Sequence, residues 1–278
     1  MSYRKKHVKS KIRNIKPKKS VFKRLWFWLL TLFSIIILSA FYFFLFYPGL
    51  QIKNITISGN EKIKTEELQD LIFNNANTGL IKFWNIKITS RSIFLVNTNN
   101  LNNEIIKKFP EIEKAKVNKK LPQTLTLEIT ERKPLGVYCG GANDTKECYL
   151  IDNNGVIFEP LDIIPEDLFI VRQTLRDENL YTGESIVQQD VISGIANIQK
   201  NLKDNFQINL KEAFITSPIR LDVKTADGWQ IYFNLDYDSD INSQIIELNL
   251  LLNGDVNSEV RKKLQYIDLR FKDRAYYK

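Results

Sequence analysis

Histidine, cysteine and methionine are nearly missing from this chain of 278 residues, which holds one, two and one of them. The only histidine, His7, sits in a basic arm, so histidine-based triads and HExxH zinc sites have no material further along. No G-x-S-x-G, P-loop or G-x-G-x-x-G pattern occurs. Acid is missing from one end: the first acidic residue is Glu61, whereas residues 1–24 carry 11 lysines and arginines. The net charge of +8 therefore belongs to a short arm, and the remainder holds 29 basic and 32 acidic residues, net −3. That split excludes a basic nucleic-acid-binding domain.

Charge is also absent from Leu25 to Tyr47, LWFWLLTLFSIIILSAFYFFLFY. As a helix these 23 residues reach about 34 Å, enough to cross a hydrocarbon core of roughly 30 Å. A cleaved signal peptide would have an apolar region of roughly 7–15 residues ending in small side chains. This run is longer and ends in aromatics, so it reads as a retained membrane anchor. Trp26, Trp28, Tyr42 and Tyr47 stand near its ends, as in an interfacial belt. The 11 basic residues before it, against Lys53 alone between it and Glu61, predict a cytoplasmic N-terminus and an extracytoplasmic chain from about residue 48. The arm itself is a topology signal and a tether to the lipid surface.

Outside the cytoplasm, Cys139 and Cys148 meet an oxidising compartment. They flank the turn-like GGANDTKE between LGVY and YLI, which suits a disulfide across a β-hairpin, with two free thiols as the other reading. The chain from Leu50 to Pro134 reads β-α-α-β-β. Ile55 and Ile57 alternate in a strand, Gly59-Asn60 turns it, and Thr65 reads as the N-cap of a helix carrying Leu68, Leu71 and Ile72. Leu101, Ile105, Ile106 and Phe109 mark a second helix stopped by Pro110, and Leu125, Leu127 and Ile129 alternate in a closing strand. From Leu135 to Lys278 the pattern is mainly antiparallel β. LGVYC, CYLID, VIFE, LFIVRQ, EAFITS, IRLDVKT and GWQIYFN are strands, two helices centre on Ile195 and Leu248, and a last strand pair ends the sequence.

Two acidic patterns invite chemistry. Asp236-Tyr237-Asp238 matches the D-x-D that binds a metal–nucleotide in many glycosyltransferases, which often share this membrane topology, but no nucleotide-binding βαβ pattern surrounds it. Asp152-Asn153-Asn154-Gly155 echoes a calcium loop without the remaining ligands, and reads as a solvated turn.

The whole plan resembles the FtsQ/DivIB family of bacterial cell division proteins. IKNITISGNEKI and FPEIEKAKVNKKLPQTLTLEITERKPLGVY are similar to the family's POTRA domain, YLIDNNGVIFEP to its hairpin and YIDLRF to its penultimate strand. The stretch from Asn74 to Arg91 is longer than the family pattern, and the cysteine pair is not a general family feature. The resemblance implies a basic tail (1–24), a transmembrane helix (25–47), a POTRA domain (50–134) and a C-terminal β domain (135–278). It implies an α+β, non-catalytic scaffold of the division septum with no cofactor, metal, nucleic acid or small-molecule substrate. FtsB/DivIC-like and FtsL-like bitopic proteins, with other divisome members, would be its partners. The family's binding edge falls on Arg274, Ala275, Tyr276 and Tyr277, with Arg270 nearby; an open sheet edge there would bind by strand addition. Two other classes stand beside this reading: a single-pass transferase using Asp236 and Asp238, and a POTRA-bearing export chaperone. The latter would show tandem POTRA units or a barrel.

Overall fold

The computed structural model describes residues 25–76, 78–83, 86–140, 147–174, 179–236, 240–272 and 274–278. The basic arm, residues 141–146 between the cysteines, Asp238 and Asp273 lie outside them.

Helix α1 (Leu25–Phe46) is apolar on every side, and Leu45 is its one buried residue. One helix of this length and composition suffices to cross a membrane. The last carbonyls of a helix lack intrahelical partners, and here the following chain supplies them. Ser92 Oγ donates to the Phe44 carbonyl at 2.8 Å. Ser90 Oγ at 2.6 Å and Gln51 Nε2 at 2.8 Å donate to the Leu45 carbonyl.

A small α/β unit follows: β1 (Asn54–Ser58), α2 (Thr65–Ala76), β2 (Thr78–Phe83), β3 (Ile86–Ser90), α3 (Thr98–Lys108), β4 (Ile112–Lys120) and β5 (Thr124–Glu131). β5 lies in the middle of the sheet β1-β5-β4, parallel to β1 and antiparallel to β4. Its alternation sends Leu125, Leu127 and Ile129 into a core shared with Leu68 and Ile72 of α2 and Leu101 and Ile105 of α3. The Asn97 carboxamide caps α3 by accepting the N–H groups of Asn99 and Asn100. Thr65, expected as the cap of α2, already lies within the helix, and its hydroxyl accepts from Asn60 Nδ2. At Gly59 (φ +86°) a Cβ would stand 2.1 Å from the Ile129 carbonyl, so only glycine fits this turn. The β-α-α-β-β order gains one feature the sequence reading did not contain. β2 and β3 form a separate antiparallel ribbon between the two helices.

The rest folds as one nine-stranded sheet in the order β14-β13-β12-β11-β10-β9-β6-β7-β8. Its strands are β6 (Gly136–Gly140), β7 (Glu147–Ile151), β8 (Ile157–Leu161), β9 (Ile170–Gln173), β10 (Leu210–Ser217), β11 (Arg220–Thr225), β12 (Gln230–Asn234), β13 (Tyr266–Phe271) and β14 (Arg274–Tyr277). Helices α4 (Gln189–Phe206) and α5 (Ile241–Asn253) cover one face, placing Ile195, Ile198 and Leu248 over Val171, Leu221, Val223, Ile231, Phe233 and Ile267. A short helix α6 (Ser258–Arg261) precedes β13. On the opposite face, near β6–β8, Val137, Cys139, Leu150 and Phe158 form a second small core under Leu161, Ile164 and Leu168. Cys139 and Cys148 stand directly opposite in the β6–β7 register and are joined as a disulfide, Cα atoms 4.2 Å apart.

Asp152 to Gly155 turns β7 into β8. The Gly155 N–H donates to the Asp152 carbonyl, and Gly155 takes φ +75°, as a type I turn with a glycine bulge requires. The solvated reading of this turn is corrected: Asp152 is 3% exposed. Its carboxylate accepts the N–H groups of Asn154 and Val156 and pairs with Arg132 Nη1. The adjacent Glu131 carboxylate accepts the N–H groups of Glu61, Lys62 and Ile63, and Arg132 Nε donates to the Pro110 carbonyl. Residues 131 and 132 therefore tie the α/β unit to itself and to the β7–β8 turn.

Candidate partner-binding edge

A sheet edge can recruit another chain only where its outward N–H and C=O groups are unpaired. β14 pairs with β13 through the register Asp268–Tyr276 and Ile267–Tyr277. The Lys278 N–H donates to the Tyr266 carbonyl, so Lys278 and, by alternation, Tyr276 turn their backbone groups inward. Ala275 and Tyr277 turn theirs outward, and among the described residues no strand pairs with that side. The side chains divide the other way. Ala275 packs against the main core; Tyr277, two residues on, shares its face and stays exposed. Beside Tyr277 lies a groove of about 430 Å³ lined by Glu259, Val260, Lys263, Leu264 and Lys278.

Tyr276 and Arg270 lie on the other face, where the sheet carries a polar and aromatic tile. The register aligns Phe214, Asp222, Tyr232, Asp268 and Tyr276 in one row across five strands. Arg270 grips Asp268 with two bonds, Nε to Oδ1 at 2.8 Å and Nη2 to Oδ2 at 2.6 Å. Arg220 grips Asp222 the same way, at 2.7 and 2.9 Å. Both guanidinium groups lie near the Tyr232 ring, 5.1 Å from its centroid for Arg220 and 5.4 Å for Arg270. Burial pushes the Asp268 carboxyl up, but the bonds from the Arg270 side chain and N–H outweigh it and hold it below its ordinary value. The same burial, with Asp222, pushes the Tyr232 hydroxyl up. Arg270 is thus already engaged on β13. Arg274 is exposed, opposite Phe271 at a register irregularity, and the Phe271 ring meets Tyr276 edge-on at 5.4 Å.

Two other edges are less open to pairing. Along β8, Ile157 N–H donates to the Glu184 carbonyl, Gly183 N–H to Ile157, and Ile186 N–H to Gly155; Pro160 offers no donor. β4, at the edge of the small sheet, carries Lys114, Lys116, Lys119 and Lys120, charges that discourage pairing. Asp236 lies after β12, its N–H bonded to Asn234, and Asp240 caps α5 by accepting from Asn242 and Ser243. Among the described residues no group of three or more His, Cys, Asp or Glu could hold a metal ion.

These features define a protein with one helix long and apolar enough to cross a membrane, a small α/β unit, and a large sheet that is strapped at one end and, among the described residues, unpaired at the other. Residues 84–132 match the POTRA domain of FtsQ type, and residues 142–270 match the C-terminal domain of the cell division protein FtsQ/DivIB. The cell division protein DivIB of Clostridium tetani is 29% identical over 174 residues, 62% of this chain and 57% of that protein. The chain belongs to the FtsQ/DivIB family of cell division proteins. The matched C-terminal region stops at Arg270, so β14 lies beyond it.

Proposed function

We propose that this chain is a non-catalytic scaffold of the bacterial division septum. It holds FtsB/DivIC-like and FtsL-like bitopic proteins by adding a partner strand to β14. The observation that carries this reading is the outward backbone of Ala275 and Tyr277, unpaired among the described residues and bordered by the groove at Val260 and Leu264. The partner's backbone would pair with Ala275 and Tyr277, its alternate side chains would enter the groove, and Arg274, Tyr276 and Arg270 would select it from the other face. The 11 basic residues before α1 support a cytoplasmic N-terminus, with the sheet working on the extracytoplasmic side.

Co-purification of the full-length protein from its membrane, with partners identified by mass spectrometry, tests this. Small bitopic coiled-coil proteins are expected with the unaltered chain. Ala275→Pro removes an outward donor while leaving the inward bonds of Tyr276 and Lys278, and should lower their recovery about tenfold without unfolding the protein. Full recovery by a folded Ala275→Pro protein would overturn strand addition at β14.

A further inference from the structure

The small α/β unit is polarised in charge from one end to the other. Because β5 runs parallel to β1 and antiparallel to β4, the end of β1, the end of β5 and the start of β4 share one end of the sheet. Glu61, Glu111, Glu113 and Glu131 gather there. The opposite end is built from the start of β1 and the β4–β5 turn, where Asn54, Thr124 and Lys120 stand side by side. The segments that reach it, residues 48–60, 71–103 and 114–127, contain no acidic residue. Lys53, Lys119 and Lys120 are exposed there.

This basic end is the one that α1 leads into. Phe94 is exposed and meets Phe44, in the last turn of α1, edge-on at 5.7 Å. The Lys119 amine donates to the Phe94 carbonyl at 3.3 Å. Arg91 is exposed between Ser90 and Ser92, whose hydroxyls bond to the Leu45 and Phe44 carbonyls. The Lys53 N–H donates to the Gln123 carbonyl, which ties the β4–β5 turn to the chain leaving the helix. Helix α1 is about 33 Å long over its 22 residues, so its last turn meets the headgroups when it crosses a bilayer. Among the described residues, none of Lys53, Arg91, Lys119 and Lys120 pairs with an acid; the ion pairs of this unit are Lys62–Glu159, Lys114–Glu113 and Arg132–Asp152. Burial pushes the Lys119 amine below its ordinary value, and the Phe94 carbonyl takes one of its three N–H donors. Leu121, at the turn, is 60% exposed. Apolar tips ringed by cations suit a headgroup layer and suit water poorly.

We propose that this end of the α/β unit is a binding surface for anionic phospholipid in the leaflet from which α1 emerges. Lys53, Arg91, Lys119 and Lys120 hold the phosphates, and Leu121 and Phe94 sit among the headgroups between them. Each cation close to an anionic leaflet favours contact about fivefold, so four acting together outweigh the freedom of a unit tethered by one helix. The surface is separate from strand addition at β14 and rests only on α1 as the anchor.

The test uses the full-length protein in phosphatidylcholine bilayers, with and without phosphatidylglycerol. One cysteine is introduced by Leu121→Cys or, as a water-exposed control, Ile163→Cys, and labelled with a fluorophore while Cys139 and Cys148 stay in their disulfide. With phosphatidylglycerol present, headgroup-spin-labelled lipid should quench the Leu121 label. Acrylamide should then reach it roughly tenfold more slowly than the Ile163 label, as for a side chain seated in the interface. Changing Lys53, Arg91, Lys119 and Lys120 together to glutamine should restore the access seen in phosphatidylcholine alone. Equal acrylamide quenching at the two labels would overturn the proposal. So would protection that needs no phosphatidylglycerol or survives the fourfold change. A Leu121 label shielded from both quenchers would overturn it too, because a protein would then cover this end. Extraction of the protein by alkaline carbonate would remove α1 as the anchor, and the proposal with it. Amide exchange over residues 118–124 of the unmodified protein is the label-free check: slowing by phosphatidylglycerol supports lipid contact, and equal rates in the two bilayers count against it.

Discussion

The two ends of the nine-stranded sheet are built on opposite terms. At β8 nearly everything is fastened: a disulfide one strand in, a small core on the second face, a proline in the edge, a strap from residues 183–186, and the Arg132–Asp152 pair from the α/β unit. At β14 the strand is four residues long, its outward groups are unpaired among the described residues, and Phe271, Tyr276 and Tyr277 are exposed. A sheet with two open ends polymerises, and one with two closed ends recruits nothing through its backbone. Sealing one end while leaving the other short and aromatic allows pairing in one direction only.

The sharpest way to break this contrast is Arg132→Ala. It leaves the Asp152 carboxylate buried without its cation, and should lower the stability of the β8 end by about 3–5 kcal/mol, read by pulse proteolysis in urea; a loss under 1 kcal/mol would mean the pair is incidental. Next comes the double change of Cys139 and Cys148 to serine. The cysteines are nine residues apart, and removing so short a cross-link should cost about 2–3 kcal/mol in the chain-entropy model. Neither change should alter which proteins co-purify under the strand addition proposed for β14. The converse substitution, Tyr276→Ala, should weaken partner binding by about tenfold, as for an interface tyrosine worth somewhat over 1 kcal/mol, and leave urea stability unmoved. The smallest effect is one of pH. Asp268 has its folded pKa below its unfolded one, so its stabilising contribution is full above the ordinary carboxylate value and is lost as pH falls through the folded value. Asp268→Asn should flatten that part of the acid-unfolding curve and nothing above it; an unchanged acid limb would show that the Arg270 bonds exert no such hold.

Much of this was readable from residue order because alternation and helical spacing report burial directly. Leu125, Leu127 and Ile129 declare the central strand of the small sheet, and the apolar spacing around Ile195 and Leu248 declares the two covering helices. The β2–β3 ribbon escaped because it sits in a segment longer than the family pattern, outside the β-α-α-β-β order. Asp152 was misjudged for a related reason. An Asp-Asn-Asn-Gly run signals a turn, but its local chemistry cannot reveal a cation arriving from Arg132, 20 residues earlier in another unit. Arg270 was read as near the edge, which it is. Its grip on Asp268 depends on the residue two places before it sharing one strand face, a pairing that the YIDLRF pattern already held.

The hydroxyls of Ser90 and Ser92 and the amide of Gln51 close the last carbonyls of α1. A helix joined to a globular unit by one peptide link could spin about its own axis. One fastened at several points on its final turn behaves as a keyed shaft. The azimuth of every side chain on α1 is then set by the α/β unit, and through Arg132 and Asp152 it is indexed to the sheet that carries β14. A bitopic partner held at β14 would meet a defined stripe of the anchor in the bilayer, so a single torsional phase would govern contacts both within and outside the membrane.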